Sequence, residues 1–404
     1  MQEYEQYTQE DILLSYIHQA QNKSDIIEQS GKRNKEPNLL EISNAYDNYF
    51  IYGKLKVYCK YLSYSKVVNE KLIDYKIDDF VYLKMILSRL EDSKITNQGV
   101  YIYNKIRLLY ELPEDTPERE IYTHIDFLRN EILNRKSEFN ESDLLELYSF
   151  LTDYSVRQLN LRKESLAELF IQCNNDLLNL LYIKSSRERV YLDPGTFKNI
   201  IVIAYRIKNN NFFNRLKTNG IRAENKAIGY RDVDEWVGKF IECYSSFLAD
   251  EFSNYHVYGK AFYQFKAALF EDAYFTISKY GKARGEFINV SIKVLFLITI
   301  FEIHLTNPKL LEENEVDVEK ILNQLKSLLS ENSSWRQPLS KLHITLYNNF
   351  LRYYKIIFKL YNKGKRYGEK RSLKYQQDIQ KLITDLQKIS AASEEWLIEK
   401  ANSL

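Results

Sequence analysis

The stretch FKAALFEDAYFTISKY, Phe265–Tyr280, decides how the whole chain is read. Leading into it, Tyr258, Ala261, Phe262, Phe265, Ala268 and Leu269 recur at the spacing that gathers side chains on one helix face. Phe270, Ala273 and Ile277 then start a second stripe, with gaps of three and four. Two helices joined by so short a link must turn back on each other. Their axes approach closely only where side chains are small. Ala268 and Ala273 suit that contact, and Phe270 fills the elbow between them.

Composition extends this reading to the rest of the chain. The 404 residues include 12 Gly and 6 Pro, against roughly 28 and 20 at average usage. Sheets need turns, and turns draw on those two residues. Their scarcity predicts long helices with short connections. The hydrophobic share is 45%, enough for a large core. The 33 Tyr sit beside abundant Lys, Asn and Ile, a set that AT-rich codons favour.

Helix signals run from end to end. Thr8 and Asp11 open a first helix near residues 9–19, and the polar segment 22–37 reads as a loop. A second pattern starts at Leu39, with Leu55, Tyr58, Cys59 and Leu62 on one face and Lys66 at its edge. Asp79 opens the next, and residues 98–112 follow. Thr116-Pro117-Glu118 reads as a hydroxyl cap, a proline in the first turn and an acid at the positive helix end. Asn140 caps another helix. Pro194-Gly195 marks a turn before a helix starting at Phe197, and Asp232 or Asp234 caps the next one, DVDEWVGKFIECYSSFL. About fifteen helices result. The β-rich runs NIIVIAY (199–205) and VLFLITIF (294–301) lie inside helical patterns and read as buried helix faces.

Phe270-Glu-Asp-Ala273-Tyr-Phe-Thr-Ile277 resembles the second-helix half-motif of the tetratricopeptide (TPR) family: an aromatic, Ala three residues on, a large apolar residue four further. NNNFFNRL (209–216) and VDVEKILNQLKSLL (316–329) are weaker versions. Counting back from Ala273 puts Gln264 where the family carries a core aromatic, and the repeat spacing is irregular. The resemblance implies an all-α fold of antiparallel helix pairs stacked as an α-solenoid, TPR-like in its C-terminal half. It also implies a groove for a protein or peptide partner, lined by Tyr255, Tyr258 and Phe262. The expected divisions are an N-terminal helix and loop (1–37), a helical array (38–190), TPR-like repeats (191–362) and a basic loop with C-terminal helices (363–404).

Known chemistry leaves no mark. Lys+Arg 57 and Asp+Glu 55 give a net charge of +2, so no global field draws in nucleic acid or a membrane. The cysteines Cys59, Cys173 and Cys243 are too far apart for a zinc set and read as buried free thiols. No two of the five histidines share the i, i+4 spacing of a metal pair, and there is no phosphate loop or nucleophile elbow. No metal or cofactor is expected. The N-terminus is acidic without an apolar leader, and the eight-residue run 294–301 is too short to span a bilayer, so a cytoplasmic location is expected.

One segment stands apart. Lys359–Lys374 has seven Lys/Arg against one Glu, with Tyr361, Tyr367 and Tyr375 interleaved. Lys365, Arg366, Tyr367, Lys370 and Arg371 could meet a phosphate backbone and stacked bases. A solvated basic loop between two helices is the plainer expectation. The leading function is therefore a non-enzymatic protein- or peptide-binding scaffold, and the alternative is a nucleic-acid-binding helical-repeat protein using that basic segment.

Overall fold

The computed structural model describes residues 9–29, 38–65, 82–92, 97–209, 211–218, 220–221, 229–279, 286–330, 341–367 and 373–404. These residues are all-helical, with no strand among them. The α-helices are α1 (Gln9–Gln29), α2 (Leu39–Ser65), α3 (Leu83–Asp92), α4 (Gln98–Tyr110), α5 (Glu118–Asn134), α6 (Glu141–Asn160), α7 (Leu166–Ser185), α8 (Pro194–Ala204) and α9 (Val233–Tyr244). They continue with α10 (Ser253–Lys266), α11 (Phe270–Ser278), α12 (Glu286–Thr306), α13 (Pro308–Glu313), α14 (Val318–Leu328), α15 (Lys341–Tyr367), α16 (Leu373–Lys388) and α17 (Glu394–Ser403). Two compact units emerge: Met1–Tyr191 with Val202–Trp236, and Leu192–Ile201 with Val237–Leu404. The division cuts within α8 and α9.

In the first unit α1 packs on α2, α2 on α4, and α6 on α7. Leu13, Ile17, Ala20 and Ser24 form one buried stripe. That stripe carries α1 on to Gln29, where residues 22–29 were expected in a loop. The core is aromatic, and several of its polar tips find partners in it. The Tyr110 hydroxyl donates to Phe150 O at 2.8 Å, and the Cys59 thiol donates to Tyr103 O at 3.3 Å. Burial pushes the Cys59 and Cys173 thiols up, as inert core groups require.

Caps agree with the local chemistry in most places. Asn140 Oδ1 accepts from Asp143 N at 2.7 Å, and Asp232 Oδ1 from Glu235 N at 2.9 Å. Thr116 departs from expectation: its hydroxyl donates to Pro113 O at 2.7 Å, and Pro117 occupies the cap position. Pro194-Gly195 begins α8 instead of making a free turn, with Asp193 Oδ2 accepting from Thr196 N at 2.7 Å. The weak half-motif at 209–216 contains only a 3₁₀ turn, Phe213–Arg215, among its described residues. Asn209 Oδ1 accepts from Asn211 N at 3.2 Å, a local bond that competes with helix.

The second unit is organised around α12, against which α10, α11, α13 and α14 pack. Its window Ile288–Thr306 is 19 residues long and apolar enough to cross a membrane by length and composition, longer than the run picked out in the sequence. It is 72% buried, as a core helix is. The β-rich runs thus lie in helices, as expected. From α15, the Tyr354 hydroxyl donates to Leu297 O at 2.9 Å, and Tyr347 shares a 3.1 Å hydrogen bond with Ser291. From α17, Trp396 Nε1 donates to Glu302 Oε1 at 2.6 Å, and Lys400 Nζ lies 2.9 Å from the same oxygen. Gly259 of α10 lets α8 come close: a Cβ there would lie 2.6 Å from Ile201 Cδ1.

Candidate functional site

The hairpin α10–α11 forms as its sequence suggests, but its elbow is built differently. Ala268 has φ 58°, and Leu269 N donates back to Gln264 O at 2.8 Å, closing the α10 C-terminus. That left-handed position usually holds Gly, and Ala fills it at a cost of about 1 kcal/mol. Ala268 is therefore exposed at the turn and not wedged between axes, whereas Ala273 is fully buried. Phe270 does fill the elbow, its ring 5.4 Å from that of Phe265.

A cleft of about 420 Å³ opens along this hairpin. His256, Val257, Lys260 and Gln264 line it from α10, and Asp272, Phe275, Thr276 and Lys279 from α11. The fourfold spacing of His256, Lys260 and Gln264 sets them on one face. The Thr276 hydroxyl donates to Gln264 Oε1 at 2.7 Å, tying the helices together. Phe275 is 41% exposed and offers an aromatic surface among polar side chains. Burial first, and the Lys260 charge second, hold the His256 imidazole below its ordinary pKa. It stays a neutral donor–acceptor at pH 7.

Tyr255, Tyr258 and Phe262 sit elsewhere. At 100° per residue they occupy another side of α10 from the cleft. Tyr258 is only 6% exposed, so it is a core residue and not a groove contact. Its ring stacks on Phe262 at 5.8 Å. Phe262 is half-buried beneath Lys266 Nζ, and Tyr255 is half-buried with its ring 6.2 Å from Phe252.

Tyr258 faces a group that motif reading missed. Lys198 of α8 is buried, with Nζ 5.7 Å from the Tyr258 ring centroid. Desolvation alone brings its pKa down to about 7. Burial and the Lys198 charge also lower His343 of α15. Burial, then Tyr347, raises the Tyr258 phenol. The one available signal was a lone Lys in the apolar run Phe197–Tyr205.

The basic segment is only partly in view. α15 runs on to Tyr367, so residues 363–367 are helix where the basic loop was expected to begin. The side chains of Lys365, Arg366 and Tyr367, and all of Lys370 and Arg371, lie outside the described residues. Tyr361 packs 5.6 Å from Phe301 and 5.5 Å from His304, and Tyr375 is 3% exposed. Two of the three interleaved tyrosines thus pack inward. Among the described residues no cluster of His, Cys, Asp or Glu could hold a metal ion. No protein-family model, curated protein or solved structure matches the chain.

Proposed function

We propose that the chain is a non-enzymatic, cytoplasmic scaffold of stacked helix pairs, TPR-like at α10–α11, that holds a peptide segment of a protein partner in the α10–α11 cleft. One observation carries this reading: an exposed aromatic, Phe275, shares a cleft with Val257 and with six hydrogen-bonding or charged side chains from both helices. Such mixtures fix a peptide by an apolar anchor and a few oriented polar contacts. The pairing of α10 with α11 and of α11 with α12 supports the stacked arrangement. Selection of peptides from a displayed random library on the purified chain tests the proposal. Enriched peptides should lose binding to Phe275→Asp and Thr276→Arg variants that keep their helical content. Peptides indifferent to both changes would move the site elsewhere. Sub-micromolar, salt-steep RNA or DNA binding by the intact chain would replace the reading with nucleic-acid recognition.

A further inference from the structure

The α10–α11 cleft is polarised along its length, and the hydrogen bond from Thr276 to Gln264 divides it. Lys260 lies one helical turn beyond Gln264, away from the elbow, and His256 a further turn on. Because the chain turns back at the elbow, Lys279 lies almost a turn beyond Thr276 in that same direction. Asp272 lies on the other side, about one turn from Thr276 toward the elbow. Phe275 stands between the two ends. Along the α11 axis it is about 5 Å from Asp272 and about 6 Å from Lys279.

These charges are not spent inside the fold. Lys260, Lys279 and Asp272 are all exposed, and none forms an ion pair among the described residues. After burial, the charge acting on the His256 imidazole is that of Lys260, and no carboxylate offsets it. At the elbow, Glu271 accepts from Asn307 Nδ2 at 2.9 Å, which leaves Asp272 as the acid that lines the cleft. Two ammonium groups converging on one end of a cleft favour an anion between them, and a lone carboxylate at the other end favours a cation. An extended peptide rises about 3.3 Å per residue, so each end is about two residues from a side chain seated on Phe275. We infer that the peptide segment held in this cleft carries an acidic side chain about two residues to one side of its apolar anchor and a basic side chain about two residues to the other. The acid meets Lys260 and Lys279, the anchor packs on Phe275 and Val257, and the base meets Asp272. This charge order rests on the cleft being the peptide site.

Peptides enriched from the displayed library on the full chain, synthesised with amidated C-termini and titrated by fluorescence anisotropy, test it. The enriched set should show Asp or Glu on one side of an apolar residue and Lys or Arg on the other. Reversing both lysines, Lys260→Glu with Lys279→Glu, should weaken these peptides about tenfold. Replacing the peptide's acid by Lys should weaken binding to the parent and restore it on the reversed variant, which also shows that the variant is folded. Asp272→Lys should act through the peptide's basic residue alone. Peptides that lose binding to Phe275→Asp but carry no acid, or that ignore the double reversal, overturn the inference and leave the cleft reading standing. No enrichment, or peptides indifferent to Phe275→Asp, removes the cleft reading and the inference together. Loss of binding on amidation would assign the lysine end to a chain terminus and overturn the acidic side chain.

Discussion

Two long apolar helices, α2 and α12, meet opposite fates. α12 is apolar around most of its circumference and is covered accordingly: Ile288, Leu297, Ile300 and Ile303 are fully buried, and even Thr299 is enclosed, its hydroxyl donating to Leu295 O at 2.7 Å. α2 carries apolar side chains on two faces, yet Tyr46, Phe50, Val57 and Tyr64 remain exposed. Composition sets how much apolar surface a helix presents. How many neighbours reach it is set by topology, and α12 is met by α10, α11, α13 and α14 and by side chains of α15 and α17.

The largest effects should come from polar groups forced into the covered helix. Leu297→Asp places an unpaired carboxylate where the side chain is fully buried, at a cost above about 4 kcal/mol. Val57→Asp, on the outward face of α2, should change monomer stability by no more than about 0.5 kcal/mol. Denaturant titrations at dilute concentration check both. Equal losses would mean that α2 is covered after all.

The same helix carries a second test. Glu302 is 5% exposed and receives both Trp396 Nε1 and Lys400 Nζ. Glu302→Ala leaves the Trp396 indole N–H without its acceptor and Lys400 with Glu399 as its remaining partner, which should cost about 1–3 kcal/mol. Hydrogen exchange should show α17 loosening first. Protection of α17 unchanged from the parent would mean that apolar packing of Trp396 alone holds it.

Lys198 gives a pH signature in place of a fixed loss. Its folded pKa of about 7 lies below the ordinary lysine value of 10.5. Between those values the unfolded chain holds a proton that the folded chain lacks, so stability rises with pH from about 7 to about 10. Below 7 both states are protonated and this contribution is constant. Lys198→Met should flatten the rise and stabilise the chain at pH 7 by about 1–3 kcal/mol. An unaltered pH profile would show that Lys198 stays charged in the fold. Ala273→Leu should cost a similar 1–3 kcal/mol through overpacking, since Ala273 is fully buried. An unchanged melting temperature would show that the hairpin can open to admit it.

How far these features were legible follows from the range of the forces involved. Asn140 and Asp232 announce their helices because a cap acts within three residues. The Phe270–Ala273–Ile277 stripe was readable for the same reason. The cleft was not. Its position depends on the left-handed turn at Ala268, and Ala carries no local mark of that conformation as Gly would. Lys198 looked like any helix lysine, because α10 and α15, which bring Tyr258 and His343 to it, come from more than 50 residues away. Gly53 was hidden in a helical pattern that a glycine interrupts without breaking.

Gly53 also gives the smallest test. Ala has the higher helix propensity, and a Cβ at this position meets no atom within 4 Å. Gly53→Ala should therefore stabilise the monomer by about 0.5–1 kcal/mol, read as a rise in denaturation midpoint at 1 μM. A midpoint that stays put or falls would show that the added methyl group meets a neighbour at this position after all.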